Sequence, residues 1–148
     1  NHFIMKNKLY EGYDRKRRTK IVNASKLNKK LIKEINMIKK FINEKFNKKI
    51  LIKFKKFKKI NGIVIDSHLS HYLPSKYVDL CIITKCGIKE LNKRLKKKGY
   101  NKNKIQENLQ AEIFDICLNE AKERKHKVMA VDTTKGFNID KVIRKLGV

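Results

Sequence analysis

Between Gly62 and Gly136 the chain three times repeats a short apolar run that halts at a polar side chain. The runs are Gly62-Ile63-Val64-Ile65-Asp66, Asp79-Leu80-Cys81-Ile82-Ile83-Thr84 and Val128-Met129-Ala130-Val131-Asp132. Runs of this length, rich in β-branched residues and without alternation, encode strands buried on both faces. Helical periods follow the second and third. Ile88, Leu91 and Leu95 share one face of a helix that stops at Gly99. Ile105, Leu109, Ile113, Ile116, Cys117 and Leu118 mark the inward face of another, and Ile139, Val142, Ile143 and Leu146 that of the last. Strands in alternation with helices predict an α/β fold built on a parallel sheet. Ligands of such sheets bind beyond the carboxyl ends of the strands, which directs attention to Asp66, Thr84 and Asp132-Thr133-Thr134.

The preceding part is organised differently. Residues 1–13 are short and ambiguous, and the basic Arg15-Lys16-Arg17-Arg18 reads as an exposed turn. Ser25 can cap a helix in which Leu27, Leu31, Ile32, Ile35 and Ile38 recur at helical spacing. From Lys33 to Ile60 only Lys, Asn, Glu, Ile, Leu, Met and Phe occur, with eleven Lys and two Glu. Such composition marks an insertion, either a polyanion-binding arm or a solvated surface excursion. The expected organisation is therefore residues 1–32, an insertion over 33–60, and an α/β part over 61–148.

Charge narrows the partners. Lys and Arg number 39 against 14 Asp and Glu, a net charge of +25. That field attracts polyanions, nucleic acid or an acidic membrane surface. Lys far outnumbers Arg, which suits phosphate attraction better than bidentate reading of bases. The three cysteines, Cys81, Cys86 and Cys117, form no CxxC pair and point to free thiols in a reducing compartment, cytosolic or nuclear. No run of 18 apolar residues occurs, so no membrane-spanning helix is expected.

Asp66-Ser67-His68 is the sharpest local signal. A carboxylate closing an apolar strand can present an acid to a Mg²⁺-bound water, and a histidine two residues on can orient a water or touch a phosphate. Equally, Asp66 can cap the next turn and His68 can bond backbone. His68 and His71 form HxxH, but no third ligand follows at metal-binding spacing. Arg94-Leu95-Lys96-Lys97-Lys98-Gly99-Tyr100 places cations at a helix C-terminus, where they offset its dipole or form a lid over phosphates. Lys135, in Thr133-Thr134-Lys135-Gly136, is a further loop cation.

In this order the motifs resemble the small nuclear adenylate kinases of isoenzyme-6 type, which double as NTPases in small-ribosomal-subunit assembly. The resemblance runs through Leu9–Asp14, Val64–His68, Leu73-Pro74, Val78–Leu80, Arg94-Leu95 and Gly99-Tyr100. It continues in Lys104–Asn108, Ala111–Phe114, Glu120-Ala121 and Asp132–Gly136, and leaves 33–60 outside. It implies a P-loop NTPase fold of the nucleoside monophosphate kinase kind, a three-layer parallel sheet with helices on both faces. It also implies phosphate transfer between ATP and AMP with ATPase activity, Mg²⁺ as cofactor, and ribosomal RNA or a small-subunit ribosomal protein as partner, in nucleus and cytoplasm. By the same resemblance Asp66 and His68 are catalytic, Asp66 through a Mg²⁺-bound water. Residues 97–107 are the lid, with Lys97, Gly99, Tyr100 and Glu107. Lys98 stands where the family usually has an ATP-contacting Arg, Lys135 lies against the adenine, and residues near 1–24 remain from the monophosphate-binding part.

Three features depart from that family. No GxxxxGK[ST] occurs, so the first strand, P-loop and first helix are expected to be missing. Apart from these three, the start at Asn1 rather than Met implies removed or omitted upstream residues. Arg15, Lys16, Arg17 and Arg18 replace acidic family positions, and Lys98 for Arg keeps charge but loses planar bidentate contact. The 148 residues alone are expected to transfer phosphate poorly, and a basic RNA- or ribosome-binding module without catalysis is the alternative.

Overall fold

The structure, a computed structural model, describes residues 2–43 and 62–146. Most of the Lys-rich insertion, 44–61, lies outside the described residues. A short helix α1 (His2–Lys6) leads into a hairpin of β1 (Tyr10–Asp14) and β2 (Thr19–Val22), paired antiparallel, and then into helix α2 (Ala24–Asn43). Asn23, not Ser25, caps α2: its side-chain oxygen accepts from the Lys26 N–H at 3.1 Å, and Ser25 falls inside the first turn. Leu27 and Ile35 bury one face of this helix, as their spacing predicts. The expected boundary at Lys33 falls within α2.

The second half carries the parallel sheet. β3 (Cys81–Lys85) pairs with β4 (Val128–Asp132) in register from Cys81↔Val128 to Lys85↔Asp132. Between them run α3 (Ile88–Lys97), α4 (Lys102–Ile113) and α5 (Ile116–Glu123), and α6 (Ile139–Leu146) follows β4. Cys81 and Ile83 on one face of β3 pack with Ala121, which is wholly enclosed, and with Cys117, Leu118 and Val128 around them. Below this core His71 meets Glu120 at 2.7 Å, and His126 donates from Nε2 to the His71 carbonyl at 2.8 Å. Both histidines are buried, so these bonds satisfy groups that water cannot reach.

Two further expectations fail, each for a physical reason. Gly62–Asp66 belongs to no helix or sheet, and Val64 is 95% exposed. The apolar run encodes a strand with neighbours, and a strand exists only through interstrand hydrogen bonds; among the described residues none pairs with this segment. The helical pattern from Ile105 to Leu118 is two helices, α4 and α5, because Asp115 takes a left-handed conformation (φ 53°) at their corner. Ile113 and Ile116 flank that corner and are exposed, not inward.

Caps set the remaining boundaries. Gly99 (φ 71°) ends α3 by donating to the Lys96 carbonyl at 2.9 Å, a conformation that costs a Cβ-bearing residue energy. Asn101 then caps α4 by accepting from the Lys104 N–H at 2.9 Å. Emptying the site of Leu73, 1% exposed, should be the costliest core truncation: Leu73→Ala is expected to lower stability in urea unfolding by about 2–5 kcal/mol. Asn23→Ala, which removes only a cap, should cost about 1 kcal/mol in the same measurement.

Candidate functional site

A cavity of about 700 Å³ opens at the carboxyl ends of β3 and β4, between α3 and α4. Thr84, Lys85, Arg94, Lys97, Lys98, Glu112, Asp115 and Thr133 contribute its polar wall. Its position is where parallel sheets bind ligands. Lys85, the last residue of β3, is held from two sides. Its Nζ meets Glu112 Oε1 at 2.9 Å and the Glu112 carbonyl at 3.1 Å, and it also pairs with Asp115. Partial burial works against the Lys85 charge, but hydrogen bonds to Asp115 and Glu112 outweigh it and raise its pKa. Glu112 further accepts from the Cys86 N–H at 2.9 Å. One carboxylate thus fixes both the strand end and the residue after it.

Arg94 performs the same office for the loop after β4. Its guanidinium bonds Glu90 at 2.8 Å and donates to the Thr133 carbonyl at 2.7 Å and the Thr134 carbonyl at 3.1 Å. Thr134 Oγ1 accepts from the Gly87 N–H at 2.8 Å, and Asp132 accepts from the Thr134 N–H and hydroxyl. These bonds from Thr134 hold the Asp132 carboxyl below the usual carboxylate range. Lys85 and Arg94 are therefore structural cations with their charges spoken for. Lys97 and Lys98 differ: both are exposed at the cavity wall, and neither has a carboxylate partner among the described residues. Unpaired ammonium groups beside a partly apolar hollow offer a site for an anion.

The sequence-derived residues divide accordingly. Lys97 and Lys98 line the cavity, while Gly99 and Tyr100 close the helix that carries them. Asp66 and His68 lie outside the lining, on the unpaired segment after residue 61. Asp66 is exposed and has no hydrogen-bond or ion-pair partner among the described residues. His68 has its pKa lowered by desolvation first, then by the charges of His71 and Lys104. Lys135 is exposed beside Asp132 and also lies outside the cavity wall. Glu107 is engaged elsewhere, with both oxygens on Arg17 Nε at 2.8 and 3.0 Å. Among the described residues no group of three His, Cys, Asp or Glu side chains could hold a metal ion.

Sequence reasoning missed Lys85, Glu112 and Asp115. A cation at a strand's carboxyl end, with acids at the end of a nearby helix, was the available signal; their meeting depends on the α4–α5 corner. Burial raises the thiol pKa of Cys81, and Cys117 adds to it; for Cys117 burial leads, followed by Glu120 and Glu112. A raised pKa leaves less thiolate at a given pH, and the thiolate is the nucleophile. Iodoacetamide at pH 8, followed by mass spectrometry, is therefore expected to alkylate Cys86 before either Cys81 or Cys117.

A family model described as an AAA domain matches residues 2–115. A Pyrococcus furiosus protein named "Putative adenylate kinase" is 41% identical over 92 residues, 62% of this chain and 48% of that protein. A Methanosarcina acetivorans protein of the same name is 32% identical over 134 residues, 90% of this chain and 61% of its own length. One from Thermococcus onnurineus is 39% identical over 85 residues, 57% of this chain and 45% of that protein. The chain spans about half the length of these relatives. The P-loop NTPase fold class read from the motifs agrees with the matched family and with the observed parallel strands and helices.

Proposed function

The chain belongs to the AAA-domain family, and on that premise we propose that its protein is a nucleotide kinase transferring phosphate between ATP and AMP, with ATPase activity. The observation that carries this reading is the pair of unpartnered ammonium groups, Lys97 and Lys98, at the cavity beyond the parallel strands. Phosphoryl transfer is mostly positioning and charge stabilisation, and cations that are not already neutralised can supply the latter. Lys98 would meet ATP phosphates, with Lys97, Gly99 and Tyr100 moving as the lid. Lys135 would contact the adenine from the loop after β4. The name carried by the relatives supports the same substrates.

Mg²⁺ fits this site in one way. It binds through one or two carboxylates, several waters and substrate phosphates. Asp66, on the segment outside the cavity lining, offers an open carboxylate to an ion that would arrive with its nucleotide. Asp66 would hold a Mg²⁺-bound water and His68 would orient a water or a phosphate oxygen. The ion would neutralise phosphate charge.

A second reading has its own support. The net charge is +25. That charge fits a basic module that binds ribosomal RNA or a small-subunit ribosomal protein without catalysis, or a kinase that works in that setting.

The test places these residues behind a strand–GxxxxGK[ST]–helix segment and follows ADP formation from ATP and AMP. Turnover is expected, with Asp66→Ala lowering kcat by roughly 10²–10³-fold and Lys97→Ala/Lys98→Ala by a similar factor at unchanged circular dichroism. Undiminished turnover in Asp66→Ala would remove that carboxylate from the mechanism. No turnover at all would favour the binding module.

A further inference from the structure

Of the two histidines at HxxH spacing, the proposed chemistry uses His68 and leaves His71 without a part. His71 is nonetheless the more constrained of the pair. It is buried, whereas His68 is exposed. Its Nε2 donates to Glu120 Oε2 at 2.7 Å, since an ionised carboxylate only accepts. Its carbonyl accepts from His126 Nε2 at 2.8 Å. That bond puts the His126 proton on Nε2 and leaves Nδ1 buried, with no partner among the described residues. A half-satisfied buried imidazole costs stability that an apolar side chain would not. Such a group is explained where the direction of a hydrogen bond matters more than its net strength.

The next residue is held as firmly. The Tyr72 carbonyl accepts from Asn28 Nδ2 on α2 at 2.6 Å. Its hydroxyl donates to the other Glu120 oxygen at 3.4 Å, and the Arg124 guanidinium lies 4.4 Å from its ring centroid. Leu73, the most deeply buried large side chain, follows directly. From this anchor the chain is wound back onto the Asp66–His68 motif. Ser70–Tyr72 form a single 3-10 turn, and Ser70 donates to the Ser67 carbonyl from its N–H at 3.1 Å and its hydroxyl at 2.8 Å. The Leu69 N–H donates to Ser67 Oγ at 3.1 Å. Ser67 sits between Asp66 and His68. Upstream of it, Gly62–Asp66 pairs with no strand among the described residues. The bonds that fix the motif's backbone among the described residues therefore lead through Ser67 and Ser70 to His71.

We propose that His71, through its contact with Glu120, is the positioning residue that sets Asp66 and His68 for phosphate transfer, a role that rests on the kinase reading above. Glu120 stands next to Ala121, which packs on Cys81 and Ile83 of β3. A bond from His71 to Glu120 therefore refers the motif to the sheet whose carboxyl ends border the cavity. His126, just before β4, adds the same reference from the second strand. With His71 and Tyr72 on separate oxygens of one carboxylate, the turn is held against rotation as well as displacement. Phosphoryl transfer needs that precision, because a shift of about 1 Å in a reacting group can cost roughly 10²-fold in rate. His71 touches no substrate in this role and acts through the backbone from Ser67 to Ser70. The Glu120 side chain is 33% exposed, so water can replace the imidazole there. Substitution at His71 should accordingly loosen the motif without collapsing the core.

Hydrogen–deuterium exchange of the 148-residue chain gives the first test. It compares the unsubstituted chain with His71→Phe, which keeps a ring and loses the N–H, and with His71→Gln, whose amide can donate from the same place. His71→Phe is expected to speed exchange at the Ser70, Tyr72 and Leu73 amides about tenfold while β3 and β4 exchange as before. Equal acceleration in the strands overturns the proposal in favour of core stability alone. The second test follows ADP formation from ATP and AMP with the chain placed behind a strand–GxxxxGK[ST]–helix segment. His71→Phe should lower kcat by about 10–100-fold with both KM values within about twofold, and His71→Gln should restore most of it. In an Asp66→Ala background His71→Phe should cost less than about threefold, because little is left to position. The same loss in both backgrounds, or an unchanged kcat, overturns the positioning role. No turnover in the unsubstituted protein overturns the kinase reading instead; localised exchange then still upholds His71 as what fixes the motif, and uniform exchange overturns it.

Discussion

The candidate site depends on one half-buried cation, Lys85, held between Glu112 and Asp115. The three groups join the end of β3 to the corner where α4 turns into α5. That corner needs Asp115 in a left-handed conformation, which Asp tolerates better than most residues and which the ion pair to Lys85 helps to fix. With the corner set, α5 delivers Ala121 against Cys81 and Ile83, while α4 stands away from β3 and leaves the cavity. Glu112 adds the Cys86 N–H to the same knot, so the loop leaving β3 begins in a fixed direction. A carboxylate that accepts from an ammonium and a backbone N–H together is well satisfied even where water is scarce.

Arg94 complements this arrangement from the other side of the sheet end. It binds the carbonyls of Thr133 and Thr134, and Thr134 in turn accepts from Gly87. Two loops that follow adjacent parallel strands are thus tied by one guanidinium and one hydroxyl. Because Lys85 and Arg94 are committed to structure, the cavity keeps its free charge in Lys97 and Lys98. A third tie, Arg17 to Glu107, brings the hairpin to α4. The ties at Lys85 and Arg17 use carboxylates, which are few in a chain with 14 of them against 39 Lys and Arg. The remaining cations are consequently left for partners.

Much of this was legible in the residues. The spans of β4, α3 and α6 follow from short apolar runs and helical periods, and the stop at Gly99 follows from its backbone freedom. Lys97 and Lys98 were recognisable as exposed cations because a basic cluster at a helix end after a strand is a local pattern. Asp66 and His68 were recognisable as a motif, yet their placement relative to the cavity was not, since it requires neighbours for the Gly62–Asp66 segment. Ser25 looked like a cap by composition, but Asn23, two residues earlier, has the geometry to accept from the Lys26 N–H. The break at Asp115 was hidden because Ile113 and Ile116 continue the apolar period across it.

The sequence by itself therefore determined the α/β alternation, the basic character and the local chemistry of each motif. Periodicity, caps and charge are properties of neighbours along the chain, so they can be read from it. Tertiary structure decided which cations are free. Lys85, Arg17 and Lys98 are alike in charge, and contacts across 27 residues for Lys85–Glu112 and 90 for Arg17–Glu107 help to separate the neutralised from the available. The opening pattern met the same limit at Gly62–Asp66, where an apolar run specified a strand but could not supply the partner that makes one.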